Sequence, residues 1–184
     1  MALLHSTMVP LGTDAIDFKL PGVDGKEYSL KSFVEHKVLV IIFMCNHCPY
    51  VKAVIQRLID LQQEVSGKGV GLVGINCNDV IKYPDDSFES MQSVSKEWGM
   101  NFPYLFDGSQ EIAKKYDAVC TPDIYVYGAE RKLLYRGRID DNWESPDKVT
   151  QQDLKQAIDN ILSDQDITIK QIPSMGCSIK WKTT

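Results

Sequence analysis

The 184-residue chain has no run approaching the roughly eighteen continuous apolar residues that a membrane helix requires, so no membrane span is expected. Basic clusters are missing as well. The net charge is −5 and the pI about 5.2, which argues against nucleic acid or an anionic membrane as partner. The opening "MALLHSTMVPLGTDAIDF" lacks the basic region of a secretory signal, and His5 breaks its apolar run almost at once. There is no internal repeat, low-complexity tract or linker. The expectation is one soluble, cytoplasmic domain spanning 1–184, with a core of about 14–165 and a tail over 166–184.

The five cysteines do not form two closely spaced pairs, and a structural zinc site normally needs two. In a reducing compartment they are not a disulfide framework either. Hydrophobic residues make up 43% of the chain, enough to bury a core without covalent staples.

The patterning that is present alternates strands with helices. "DFKLPGVDGKEYSL" carries two short extended runs around Asp24-Gly25, a hairpin signal. Val38 to Phe43 is a continuous apolar run of strand length, expected to be covered on both faces. After Pro49, Val51, Val54, Ile55, Leu58, Leu61 and Val65 follow helical spacing, and Gly67 and Gly69 end it. Val70 to Asn76 is a second buried strand. About Ser87 to Trp98 reads as a helix capped by Asp86 or Ser87, "FPYLFD" as a strand, and "SQEIAKKYDA" as a short helix opened by Ser109. "DIYVYG" and "KLLYRGRI" form a hairpin, and "TQQDLKQAIDNILSDQ" an amphipathic helix. The tail "IPSMGCSIKWKTT" has no clear period. This order predicts a mostly parallel sheet with helices on its faces and an antiparallel hairpin closing it.

The stretch carrying chemistry is "VLVIIFMCNHCPYVKAVIQRL". Cys45 falls at the strand exit, and the spacing places Cys48 one turn along the helix that begins there. A helix N-terminus favours thiolate over thiol, and the first cysteine of such a pair has its pKa lowered to about 7 or below. The expectation is an exposed attacking Cys45 and a more buried, resolving Cys48, the arrangement that thiol–disulfide exchange requires. His47, when protonated, further stabilises the Cys45 thiolate, which predicts a potential less reducing than that of ordinary thioredoxins.

"MCNHCP" after a buried strand, "VCTPDIYVY" and "DFKLPGVDGKEYSL" resemble the thioredoxin superfamily, and within it the peroxiredoxin-like, thiol-specific-antioxidant (AhpC/TSA-type) branch. "YRGRIDDN" and "IPSMGCSIKW" are similar to a bacterial subgroup of that branch with a Cys-x-x-Cys motif. The resemblance runs from about Asp14 to Lys182. It implies a thioredoxin-like α/β fold: a central mixed sheet with helices on both faces, an N-terminal β-hairpin and a C-terminal tail extension. It makes Pro122 a cis-proline facing the cysteines and leaves the Thr121 backbone free to pair with an extended substrate. Cys120 then stands near the pair as a third thiol. Partners would be protein disulfides or dithiols, with a reductase or small thiol for recycling; relatives of this kind often form homodimers, and no organic cofactor is needed.

Two family features are missing. Peroxidatic members carry Pro-x-x-x-Thr/Ser-x-x-Cys, whereas Val38 and Ile42 occupy those places before Cys45. Thioredoxins hold an acid on the strand before the motif, and Val38 to Phe43 contains none, so the base serving Cys48 is unnamed. Two other readings stay open: an antioxidant thiol peroxidase, and a copper or zinc carrier using Cys45 and Cys48 with Cys120 or His47. Cys77 reads as packing, His5 and His36 as surface residues, and Trp98, Trp143 and Trp181 as packing anchors. Arg136 and Arg138 read as weak surface partners of Asp140 or Asp141. Cys177 reads as a surface or packed thiol, with a fold-back onto Cys45 as the other option.

Overall fold

The computed structural model describes residues 3–183; Met1, Ala2 and Thr184, which complete the expected 1–184 span, lie outside the described residues. In chain order the elements are β1 (Leu3–His5), β2 (Leu20–Pro21), β3 (Glu27–Tyr28), β4 (Val38–Phe43), α1 (Pro49–Val65), β5 (Val70–Asn76) and α2 (Phe88–Glu97). Then come β6 (Tyr104–Phe106), α3 (Glu111–Lys115), β7 (Cys120–Thr121), β8 (Asp123–Tyr127), β9 (Leu133–Arg136), α4 (Asp153–Leu162) and β10 (Met175–Ser178). No helix among the described residues is long and apolar enough to cross a membrane.

The main sheet has the order β6-β5-β4-β8-β9. β4 pairs in parallel with β5 and antiparallel with β8, and β9 closes the edge, so the sheet is mixed. Successive strand side chains point to opposite faces. Val38, Val40 and Ile42 therefore join α1 and α4 in one core, around Val54, Leu58, Leu154 and Ile158. Leu39, Ile41 and Phe43 join a second core on the other face, with Phe33, Ile112 and Ala113. All six β4 side chains are fully buried, each contributing about 1.5–3 kcal/mol as an upper figure. A charge anywhere in this run would break a core.

Caps decide the helix ends. Ser87, not Asp86, caps α2, accepting from the Ser90 N–H at 3.2 Å. The α3 cap is Gln110 rather than Ser109: Gln110 adopts φ 65°, and its buried side chain donates to the Cys77 and Lys180 carbonyls.

The tail, aperiodic in sequence, supplies β10, the middle strand of a small antiparallel sheet β1-β10-β7. Four residues with a central glycine show no amphipathic period, and their partners lie far away in sequence. On either side the tail is pinned. Ser174 exchanges bonds with Ser6, and Lys180 meets Asn78 and Asp79.

Candidate active site

In the β4–β8 pairing Phe43 stands opposite Asp123. That register brings Cys45, two residues beyond Phe43, beside Thr121 and Pro122, the two residues before Asp123. The Thr121–Pro122 peptide is cis. Thr121 touches both sulfurs: its Oγ1 lies 3.5 Å from Cys45 Sγ, and its carbonyl oxygen lies 3.1 Å from Cys48 Sγ.

Neither cysteine lies within the helix. Proline suits the first helical position because its missing N–H would be unpaired there anyway. Accordingly α1 starts at Pro49 and Cys48 becomes its N-cap, one step outside the expected placement. The free N–H groups of the first turn therefore serve Cys48, with the Val51 amide aimed at its sulfur.

Exposure also departs from expectation. Cys45 is 1% exposed and Cys48 is fully buried. The Thr121 backbone is not free either, because β10 is already paired to β7 with Cys177 opposite Thr121. The tail occupies the edge expected to receive a substrate chain.

Cys48 shares a core with the Cys45 and Cys177 thiols, and both are close enough to influence its ionisation. The influence of Cys45, aided by Cys177 and Val51, outweighs burial and holds Cys48 down at about 5. Cys45 is pushed well above the ordinary thiol range by Cys48, then by burial and by the negative charge of Asp86. When protonated, Cys48 donates to the Thr121 carbonyl; when ionised, it accepts from Cys45, Cys177 and Val51. The proton is thus favoured on Cys45 and the negative charge on Cys48, whereas the sequence reading placed the lowered pKa on Cys45.

His47 is committed elsewhere. Its Nδ1 lies 2.6 Å from Asp86 Oδ2, and its ring stacks on Tyr83 with centroids 5.4 Å apart. Nε2 is buried with no partner among the described residues. Burial works against charge on Asp86, but hydrogen bonds from His47, Asn78 and the Asn46 amide prevail and hold it below the usual carboxylate range. A protonated His47 is neutralised by this carboxylate, so its pull on Cys45 is weaker than the motif suggests. Asn46 is fixed by donation to the Asp85 carbonyl and by acceptance from the Tyr104 hydroxyl. Sequence reasoning missed Asp86 as a site residue; its only signal is a place in a polar loop between secondary-structure elements, where functional groups concentrate.

Cys45, His47 and Asp86 bring their donor atoms within 4.8 Å of one another. These thiol, imidazole and carboxylate groups suit a zinc-like ion, and Cys48 and Cys120 stand outside the group. Cys120 is fully buried and raised by burial, with its sulfur 3.8 Å from the Pro122 carbonyl. Cys77 is likewise sealed in the second core. Cys177 does fold back, but onto Cys48 rather than Cys45.

The arginines of "YRGRIDD" are not weak surface partners of Asp140 or Asp141. Arg136 and Asp123 form a fully buried ion pair at 3.0 Å, and the guanidinium also covers the Tyr125 ring. Arg138 pairs with Asp153, while Asp140 pairs with Arg57. A cavity of about 340 Å³ adjoins Pro122, walled by Tyr50, Val54, Trp143 and Met175. Trp143 packs against Tyr50 at 4.3 Å and so shapes this hollow.

A thiol pair at the start of a helix, facing a cis-proline at the end of a mixed sheet, defines a thioredoxin-like protein, and the fold is that of the thioredoxin-like structures. Residues 11–136 match the AhpC/TSA family, and the chain belongs to that family. It is 44% identical to an uncharacterized conserved protein from Geobacillus kaustophilus, covering 100% of this chain and 98% of that one with a TM-score of 0.94. A hypothetical protein from Sinorhizobium meliloti 1021 is 39% identical, covering 98% and 99%, with a TM-score of 0.94. The thiol-disulfide oxidoreductase ResA of Bacillus subtilis (strain 168) is 24% identical over 123 residues, 67% of this chain. That match spans 64% of the length of ResA, under two thirds of it.

Proposed function

We propose that the protein is a thiol–disulfide oxidoreductase whose redox pair is Cys45 and Cys48. The observation that carries this is the placing of both thiols in one core at the α1 N-terminus, each against Thr121 and beside cis-Pro122. Cys45 attacks a substrate disulfide as its proton passes to Cys48. The substrate S–S bond breaks, one half leaves as a thiolate, and a mixed disulfide joins the other half to Cys45. Cys48 gives the proton to the leaving thiolate and then attacks Cys45, releasing the second half and closing the Cys45–Cys48 bond. Run backwards, the same steps oxidise a dithiol. Asp86 and His47 hold the motif, and substrate reaches it when β10 lifts from β7. The partners are protein disulfides or dithiols in the cytoplasm, with a reductase or small thiol for recycling.

Titration in glutathione buffers tests the proposal. A single two-electron transition is expected, at a potential less reducing than the roughly −270 mV of thioredoxin and abolished by Cys48→Ser, with the Cys45–Cys48 bond itself lost in Cys45→Ser. If no Cys45–Cys48 bond forms at any ratio, the assignment fails.

The burial of Cys45 beside the Thr121 hydroxyl favours a second reading, a thiol peroxidase, since a peroxide needs far less room than a protein. Peroxide consumption much faster than reduction of insulin disulfides would select it.

A further inference from the structure

We propose that Cys177 is a third redox-active thiol, which exchanges with the Cys45–Cys48 disulfide to form a Cys48–Cys177 bond that latches the C-terminal strand over the site. The inference rests on the thiol-exchange reading above and adds a residue to it.

Three independent features point to this role. First, β10 sits where an incoming extended chain would pair, antiparallel to β7, with Cys177 opposite Thr121. Thr121 meets both sulfurs of the pair, and directly opposite residues place their side chains on the same face, so this register sets the Cys177 side chain on the face that holds the pair. Second, the fit is specific to this sequence. A Cβ placed on Gly176 would fall 1.9 Å from the Thr121 carbonyl oxygen and 2.6 Å from its carbonyl carbon. Only glycine lets the strand come this close to the cis-proline segment. Third, Cys177 is itself buried within the core that contains Cys45 and Cys48, where its thiol is close enough to influence the ionisation of Cys48. The tail thus presents a thiol to the redox pair in the manner of a substrate, from within the same chain.

The step balances without an added oxidant. Starting from the Cys45–Cys48 disulfide, the Cys177 thiol gives up its proton and attacks Cys48 Sγ. The Cys45–Cys48 bond breaks as the Cys48–Cys177 bond forms, and Cys45 leaves as a thiolate that takes the proton. No electrons are gained or lost. The reverse attack, by Cys45 on Cys48, restores the original bond and frees Cys177. In one isomer the covering strand is covalently tied beside β7; in the other it is held by hydrogen bonds and packing alone. The oxidised protein therefore distributes between a latched and a releasable form.

The test is disulfide mapping on the full chain. Wild-type protein, Cys45→Ser, Cys177→Ser and Cys177→Ala are equilibrated in reduced and oxidised glutathione, quenched by alkylation, digested and analysed by mass spectrometry. Thiols held side by side react as if at an effective concentration of about mM or above, so the internal bond outcompetes mixed disulfides with glutathione. Wild-type protein should yield both Cys45–Cys48 and Cys48–Cys177 peptides. Cys45→Ser should convert to the Cys48–Cys177 form, and both Cys177 variants should yield Cys45–Cys48 alone. The inference is overturned if wild-type protein forms Cys45–Cys48 while Cys48–Cys177 appears neither there nor in Cys45→Ser. A wild-type protein forming neither bond instead overturns the thiol-exchange reading itself. The wild-type map requires no substitution, so a variant that fails to fold does not blunt the test.

Discussion

Gly176→Ala should unseal the redox pair. The β10–β7 contact spans two residue pairs, Cys177 opposite Thr121 and Ser178 opposite Cys120. The added methyl lands 1.9 Å from a backbone carbonyl oxygen, and no side-chain rotation relieves a clash with main chain. The strand has to lift. Losing about two net hydrogen bonds at roughly 0.5–1.5 kcal/mol each weakens closure by about 1–3 kcal/mol. If the thiols react only from the open form, that raises the open population roughly five- to 150-fold. The assay is the rate of iodoacetamide labelling of reduced Cys48, followed by mass spectrometry. Circular dichroism should show a folded variant, because β10 pairs only with β1 and β7 and the five strands of the main sheet keep their own pairings. An unchanged labelling rate in a folded Gly176→Ala protein would refute the claim that β10 seals the site.

Three other perturbations separate the remaining contacts. With Cys48 held at about 5, its labelling by a small alkylating agent in Gly176→Ala should titrate in with a midpoint near 5. The unfolded chain binds the extra proton between that value and the ordinary thiol range. The stabilising contribution of Cys48 to the reduced fold is therefore complete above that range and is lost as pH falls toward 5. Urea melts of the reduced protein set against Cys48→Ala should show this slope, and a slope of opposite sign would contradict it. Asp86→Asn removes the charge that meets His47, Asn78 and the Asn46 amide, and should lower stability by about 2–4 kcal/mol. The same change should lower the Cys45 pKa by removing a neighbouring negative charge; a thiolate absorbance titration of Cys48→Ala and Cys48→Ala/Asp86→Asn should show this. Arg136→Met strands a buried Asp123 and should cost about 3–5 kcal/mol in a denaturant melt, whereas Arg136→Met with Asp123→Leu should recover most of that loss.

Much of the fold was legible because it rests on local periodicity. The unbroken Val38–Phe43 run marked the central strand, and the spacing from Val51 to Val65 marked the helix after it. Asp24-Gly25 marked the β2–β3 hairpin, and the cis bond before Pro122 followed from the resemblance carried by "VCTPDIYVY". The pairing of Arg136 was misread because sequence neighbours suggested Asp140 and Asp141. The actual partner, Asp123, lies on the adjacent strand β8. β10 was invisible for a related reason: a short glycine-containing segment becomes a strand only when distant edges, β1 and β7, are there to pair with it.

By itself the sequence determined that two thiols stand where a buried strand hands over to a helix, because strand and helix periods are local properties and a proline fixes the boundary between them. Which of those thiols carries the charge, what covers them and which third sulfur touches them were decided only by tertiary structure. Proton affinity depends on charges and donors within a few ångströms, and here Asp86, Thr121 and Cys177 arrive from three remote parts of the chain.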